Sequence, residues 1–174
     1  MLGDADTAAR TLAERDTGPA FGFRGPEQQL ADAWTAHASG RPVQAAQIFR
    51  DAAGHAASTG HRTAEAWLLH DLTRTSGEDT SARLAELSGE CDSPLVSARA
   101  RHATAVRTRN AQELAAAAGD FEALGAMLLA AESYLRARRW SRVGCAKLHH
   151  SNRVRCIFCG FVPDGDGPVE RTRR

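Results

Sequence analysis

The chain has 174 residues, a formal net charge of +1 and four cysteines. This length allows one domain with a core of ordinary size, and the near-neutral balance excludes a molecule that binds nucleic acid through its overall charge. The first residues, MLGDADTAARTLAERD, carry early acidic residues and no apolar run, so they do not predict a secretory signal. No stretch approaches the roughly 20 apolar residues of a membrane span. We therefore expect a cytoplasmic protein with reduced thiols.

Residues 26–137 predict one helix after another. Alanine, leucine, arginine, glutamate and glutamine dominate this region, and all of them favour helices. Apolar residues recur there at helical spacing. The predicted buried stripes are, in chain order, Leu30/Ala33/Trp34/His37, Ala45/Ile48/Phe49/Ala52/Ala56, Ala64/Trp67/Leu68/Leu72, Leu84/Leu87, Leu95/Ala98/Ala105/Val106, Leu114/Ala117/Ala118/Phe121/Leu124 and Leu128/Ala131/Leu135.

Short turn-forming segments separate these stripes. They contain glycine, proline, serine or aspartate, which end helices or begin new ones. Ser93–Pro94 predicts an N-cap followed by a proline in the first helical turn. The five predicted breaks are ASGRP (38–42), STGH (58–61), TSGEDT (75–80), ECDSP (90–94) and LGA (124–126).

A loose internal period favours stacked helix pairs. Phe49 and Phe121 each follow an alanine by four residues and lie 72 apart, and the midpoint falls in ARLAEL (82–87). Tetratricopeptide-type helix pairs repeat about every 34 residues. The prediction is an all-α fold of antiparallel helix pairs stacked as a tetratricopeptide-like α-solenoid. An ordinary alanine-rich bundle without repeats is the alternative.

Several segments in order resemble the helical-repeat region of large ATP-binding LuxR-type transcriptional regulators. They are residues 22–74, ARLAEL, SPLVSARARHATAV (93–106) and FEALGAMLLAAESYLRA (121–137). The resemblance covers about residues 4–137, and it implies a segment that relays signals and contacts partners or small effectors. The family's phosphate loop does not carry over, because the only lysine, Lys147, follows Ala146 and lacks the G-x-x-x-x-G-K-[ST] pattern. The resemblance predicts a truncated fragment without the ATPase and helix-turn-helix domains.

Composition changes near Ala137. Residues 1–137 hold 33 alanines and a net charge of −5, whereas residues 138–174 hold one alanine and a net charge of +6. We therefore predict a helical-repeat domain over 1–137 and a divergent, mostly disordered basic tail over 138–174. The tail is rich in the residue types that GC-rich DNA encodes in a shifted reading frame, which indicates a non-native ending.

The tail also contains the segment HHSNRVRCIFCGF, residues 149–161. Cys156 and Cys159 form a C-x-x-C half-site, and Cys145 with His149 or His150 could complete a tetrahedral zinc set. A single half-site is a weak signal, so the metal prediction is none, with this set as the alternative. A redox C-x-x-C is disfavoured, because Gly160 and Pro163 oppose the helix that should follow it.

The basic run RARRWSRV (136–143) surrounds Trp140, and it could contact phosphate backbones while the indole stacks on a base. A helix end with a solvated basic face is the preferred interpretation. Specific DNA binding by this chain alone is not expected.

No residue set predicts catalysis or a cofactor. The histidines are scattered, and each is predicted to lie on a helix surface or half buried: His37, His55, His61, His70 and His102. Cys91 is predicted to be an incidental thiol in a turn. His70 and Asp71 are helix neighbours that should not face each other, and Trp34, Trp67 and Phe49 are predicted core residues.

The prediction is therefore a non-enzymatic segment that senses an effector or binds a protein partner, or self-associates through its helical repeats. The alternative is a small zinc- or nucleic-acid-binding protein that uses the C-terminal tail.

Overall fold

The computed structural model describes residues 4–14 and 25–149, and every regular element in these ranges is an α-helix. The predicted all-α class is therefore confirmed for this part of the chain. None of these helices combines the length and the apolar character that crossing a bilayer requires. Their bounds are α1 (Ala5–Ala13), α2 (Gly25–Ala38), α3 (Pro42–Ser58), α4 (Arg62–Ser76), α5 (Ser81–Glu90), α6 (Pro94–Thr108), α7 (Ala111–Ala123) and α8 (Met127–His149).

All five predicted breaks separate helices, because their turn chemistry is local. Gly77 ends α4 in the left-handed conformation (φ 76°), and its N–H donates to the carbonyl of Thr73. Pro94 begins α6 after Ser93, which has the extended backbone of an N-cap. The Ser93 side chain, however, makes no capping hydrogen bond. The predicted position of this cap is confirmed, but its side-chain bond is not formed.

A sixth break, between α6 and α7, was not predicted. Arg109 adopts a left-handed conformation (φ 51°), and the side chain of Asn110 accepts hydrogen bonds from the amides of Gln112 and Glu113. Asparagine is a favoured N-cap because its carbonyl oxygen satisfies amides of the first helical turn. No glycine or proline marks this turn, so the capping asparagine was its only local signal.

Helices that follow each other along the chain pack together, and so do some alternate helices. α2 contacts α4, and α4 contacts α6. α6 and α8 both pack on α7 and share two apolar clusters with it: Ala98 and Ala130 with Phe121, and Ala105 and Ala137 with Leu114. α4 therefore contacts its even-numbered neighbours α2 and α6 as well as α3 and α5.

Alanine lets the helices approach closely, and a few large side chains fill the remaining space. Phe49 of α3 packs with Ala33 of α2 and with Leu68 and Leu72 of α4. Leu84 of α5 lies in an equivalent cluster between α4 and α6. The predicted core role of Phe49 is confirmed, since its side chain is fully buried.

The predicted buried stripe of α8 was wrong. Leu128 and Leu135 are 68% and 64% exposed, and Ala131 is exposed as well. The small residues Ala130, Ser133 and Ala137 are buried instead: Ala130 and Ala137 pack against α6 and α7. The face of α8 with small side chains is buried because it allows close helix packing. The leucines on the opposite face are exposed.

Helix α8 continues through Ala137, where the sequence analysis places a domain boundary, as far as His149. This first part of the predicted tail is therefore helical. The predicted disorder of residues 150–174 lies outside the described residues.

Candidate ligand-binding groove

A groove runs along the even-numbered helices. It consists of two cavities of about 690 and 420 Å³ that share Trp34, Arg74 and Glu132. We call these two cavities together the groove. The remaining lining residues are His37, Thr75, Leu135, Arg136, Arg139 and Trp140 in the first cavity, and Trp67, Asp71, Arg99, Leu128 and Leu129 in the second.

A polar network crosses the groove and joins three helices. The indole Nε1 of Trp34 on α2 donates to Asp71 of α4 at 2.9 Å. Arg74 of α4 pairs with the same carboxylate, and its Nη2 donates to Glu132 of α8 at 2.7 Å. The guanidinium carbon of Arg74 lies 5.1 Å from the Trp34 ring centroid, within cation–π range. The network therefore links α4 to α8 across the groove through Arg74 and Glu132.

The charges of this network are compensated. Burial lowers the pKa of Arg74, but the carboxylates of Asp71 and Glu132 outweigh burial and raise it above its usual value. Arg136 donates from Nη2 to the Arg74 carbonyl at 3.1 Å. Burial lowers the pKa of Arg136, while Glu132 acts in the opposite direction.

The groove as a whole is aromatic and cationic. All three tryptophans of the chain, Trp34, Trp67 and Trp140, line it. The arginines in its walls outnumber the carboxylates, since Arg74, Arg99, Arg136 and Arg139 face only Asp71 and Glu132. Such a surface attracts anionic groups that carry apolar or aromatic parts.

The predicted core role of Trp67 was wrong, because this side chain is 38% exposed at the groove. Trp34 is partly buried: it packs on the cluster around Phe49, with its ring edge-on to that of Phe49 at a centroid distance of 5.9 Å. Apolar character in the sequence does not separate a tryptophan that fills a core from one that lines a binding surface.

Two histidines predicted as single surface or half-buried residues form a buried pair beneath the groove. His70 Nε2 and His102 Nδ1 are 3.1 Å apart, and the residues are 1% and 3% exposed. His70 Nδ1 has no hydrogen-bond partner in the described part of the chain, so the neutral tautomer with the proton on Nε2 fits best. His70 Nδ1 lies 3.9 Å from Asp71, beyond hydrogen-bond distance, as expected for adjacent helix residues.

Burial is the main reason why both rings are neutral. It lowers the pKa of His70 well below its usual value, and the charges of Arg99, Arg74 and Arg136 act in the same direction. Burial also lowers the pKa of His102 to about 3, helped by Arg136 and Arg74. Phe121 completes the cluster, with ring centroids 5.6 Å from His70 and 6.0 Å from His102.

Several groove residues occupy equivalent positions in a short motif that recurs along the sequence. Each even-numbered helix carries a short motif: ADAWTAH (31–37), AEAWLLH (64–70), VSARARH (96–102) and AESYLRA (131–137). The third motif residue is small and fully buried in every helix: Ala33, Ala66, Ala98 and Ser133. The fourth residue, Trp34, Trp67 or Arg99, lines the groove in the first three helices. Alignment of the chain with itself at spacings of 32 to 35 residues would have found this register.

Arg99 differs from its counterparts in the repeat. It is 9% exposed, its Nε has no hydrogen-bond partner, and no ion pair joins it to another described residue. Its guanidinium carbon lies 5.7 Å from the Trp67 ring centroid. Burial lowers the pKa of Arg99, Asp71 opposes this shift and Arg74 adds to it.

The basic run around Trp140 lies at one end of the groove. Trp140 packs on the cluster that contains Ala105 and Leu114, while Arg138 and Arg139 are exposed. This arrangement has the solvated basic face that the sequence analysis preferred, although Arg136 points inward to Arg74.

The alternative zinc set is only partly within the described residues. The backbone of α8 contains Cys145 and His149, whereas Cys156, Cys159 and His150 lie outside. Within the part of the chain that the structure describes, no group of three metal-ligating side chains converges. Cys91 is a free, partly exposed thiol.

The described residues thus form an all-helical fold with an aromatic, cationic groove. No protein-family model, curated protein or solved structure matches the chain. The resemblance to LuxR-type regulators therefore stays a prediction.

Proposed function

We propose that residues 25–141 form a tetratricopeptide-like array that binds an acidic partner segment or effector in the groove. Its role is non-enzymatic and corresponds to the interaction segment of LuxR-type regulators. The observation that carries the proposal is the repeated motif, because it brings the equivalent side chains Trp34, Trp67 and Arg99 of α2, α4 and α6 into one groove. Helix-pair repeats commonly bind their ligands on such a continuous surface.

The chemistry of the groove favours an acidic ligand with apolar residues. No ion pair joins Arg99, Arg136 or Arg139 to another described residue, so a bound carboxylate could pair with these cations without displacing a protein carboxylate. Exposed Trp67 and the exposed leucines of α8 offer apolar contacts beside them. Aromatic and arginine side chains are the residues that most often dominate binding energies at interfaces.

Charge reversal at Arg139 tests the proposal. Selection of a displayed random peptide library on the intact chain should enrich peptides that combine acidic and aromatic or aliphatic residues. Arg139→Glu should weaken the binding of these peptides about tenfold, because it replaces attraction by repulsion at the groove. Fluorescence anisotropy with a labelled enriched peptide measures this change.

Arg109→Glu is the matched control. It makes the same change of charge at an exposed residue at the end of α6, and Arg109 does not line the groove. Equal affinity of the two variants, or enriched peptides without acidic residues, would rule out the groove as the binding surface.

The exposed face of α8 predicts self-association. Met127, Leu128, Tyr134 and Leu135 are all exposed at helical spacing, which leaves a contiguous apolar stripe. Sedimentation velocity should show association that increases with concentration, and Leu135→Glu should weaken it at least tenfold. The control Val43→Glu changes an isolated exposed apolar residue of α3 and should behave as the wild type. A wild-type chain that stays monomeric at every concentration would contradict this prediction.

A further inference from the structure

A third cavity, of about 900 Å³, meets the groove at Trp67 and Arg99. We call it the Arg99 cavity. Its walls come from the start of α2, the α3–α4 turn, the α5–α6 turn and the first turns of α4 and α6. Leu30, Leu68, Leu95 and Val96 make part of these walls apolar. This volume suits a small organic molecule rather than a folded partner.

Arg99 is the buried cation of this cavity. Two carboxylates also line it: Glu90 pairs with Arg62, and Asp92 is exposed. The Arg99 side chain lines the cavity although the residue is 9% exposed, and it has neither a hydrogen bond nor an ion pair within the described ranges. A buried cation without a partner is unfavourable, so buried arginines are normally paired. Three of the four repeats place an aromatic residue at the equivalent position, namely Trp34, Trp67 and Tyr134. Core packing of the repeat therefore does not require an arginine there.

The first turns of α4 and α6 line the cavity, and they also favour a negatively charged ligand. His61 and Ser93, which precede α4 and α6, make no side-chain capping bond. Thr63, Ala64 and Leu95 of the two first turns line the cavity. First-turn amides without a side-chain cap carry partial positive charge and bind anions.

From these observations we infer that the Arg99 cavity binds a small organic carboxylate. The carboxylate pairs with the Arg99 guanidinium, and its apolar body packs against Leu68, Leu95 and Val96. The planar guanidinium suits a carboxylate because it can donate two parallel hydrogen bonds. This inference rests on the proposed function, since it names the chemical class of the effector. Its site shares Trp67 and Arg99 with the groove but does not include Arg139.

The inference also connects the effector to the groove. Arg99 lies over Trp67, and both residues line the Arg99 cavity as well as the groove. A carboxylate that draws the guanidinium toward itself changes the contact with the exposed indole. Occupancy of the cavity is therefore expected to alter peptide binding in the groove, and by linkage the peptide alters carboxylate affinity by the same factor.

Matched acid and amide pairs test the inference on the intact chain. The probes are benzoate, phenylacetate and octanoate, each compared with its primary amide, measured by ligand-detected NMR and isothermal titration calorimetry. Each acid that binds should do so at least tenfold more tightly than its amide. Arg99→Gln should remove this preference, whereas Arg101→Gln, at an exposed residue of the same helix paired with Asp120, should retain it.

The stability of the free variants gives a second measurement. Arg99→Gln removes an unpaired buried charge, so its melting temperature without ligand should equal or exceed that of the wild type. A lower melting temperature would show that Arg99 supports the fold, and it would overturn the inference. Sulfate should not displace the acids at similar concentrations, because such competition would show a general anion site in the cavity. That result would also overturn the inference of a carboxylate site.

Two further outcomes distinguish failure of the carboxylate site from failure of the peptide-binding groove. If no acid binds while enriched peptides still depend on Arg139, the carboxylate site fails and the peptide-binding groove stands. If acids bind through Arg99 but no peptide is enriched, the effector site stands and the proposed partner surface fails.

Discussion

Replacement of Phe121 by alanine is expected to destabilise the protein by about 3 to 5 kcal/mol. Phe121 on α7 is fully buried against Ala98 of α6 and Ala130 of α8. Its ring also contacts both members of the histidine pair. The flanking alanines are too small to fill the space that the ring leaves, so a cavity remains. Domains of this size are stable by only about 5 to 15 kcal/mol, and the loss should be evident in urea denaturation followed by circular dichroism.

Leu124→Ala is the control, at the C-cap of the same helix. Leu124 is exposed near the end of α7, and truncation there should change the free energy of unfolding by less than about 0.5 kcal/mol. A Phe121→Ala protein that unfolds within about 1 kcal/mol of the wild type would show that α6, α7 and α8 are not packed around this ring.

Acidification is the second change with a large expected effect, and it acts through His70 and His102. The unfolded rings titrate near pH 6.5, whereas burial lowers the folded pKa of His102 to about 3 and that of His70 well below its usual value. Below about pH 6.5 the unfolded chain therefore binds more protons than the folded chain. The contribution of the two neutral rings to the free energy of unfolding is therefore fully present above that pH. It is lost progressively as the pH decreases toward about 3.

The expected loss is about 2 kcal/mol between pH 6 and pH 5 for the two rings together, since each contributes up to about 1.4 kcal/mol per pH unit. Urea denaturation at a series of pH values measures this slope. The arginines around the pair, Arg74, Arg99 and Arg136, all disfavour protonation of His70. The buried carboxylate of Asp71, 3.9 Å from His70 Nδ1, is the nearby charge of opposite sign.

His102→Gln should reduce the slope by about half. Glutamine does not titrate, and its side-chain oxygen can accept the hydrogen bond from Nε2 of His70. His55→Gln is the control, because His55 is exposed on α3 and its ring stays in contact with water in the folded state. Equal slopes for the wild type and His102→Gln would mean that His102 is not buried as a neutral ring.

The helices and five of their six breaks between α2 and α8 were predictable because the signals are local. Alanine-rich composition and apolar spacing predict helices from neighbouring residues alone. Glycine and proline mark breaks such as those at Gly77 and Pro94 in the same way. The break at Arg109 and Asn110 was missed because it contains no glycine or proline, and its only local signal is the N-cap asparagine.

Which face of a helix is buried was predictable only where one face is clearly more apolar. In α7 most of the predicted stripe is buried, including Leu114 and Phe121, but its last residue, Leu124, is exposed. In α8 the leucines are outside, because the face with Ala130 and Ser133 allows closer packing against α6 and α7. Side-chain hydropathy predicts burial of the larger apolar side chain. It contains no information on how closely two helices can approach each other.

The sequence by itself determined the all-helical class of the described residues and most of their turns. It also contained the register of the 32- to 35-residue motif, although only a comparison of the chain with itself shows it. The tertiary structure decided that His70 meets His102, that Trp34 and Arg74 share Asp71, and that Arg99 is buried without a partner. These contacts join residues up to 37 positions apart. They depend on how alternate helices pack, which no local pattern of residues specifies.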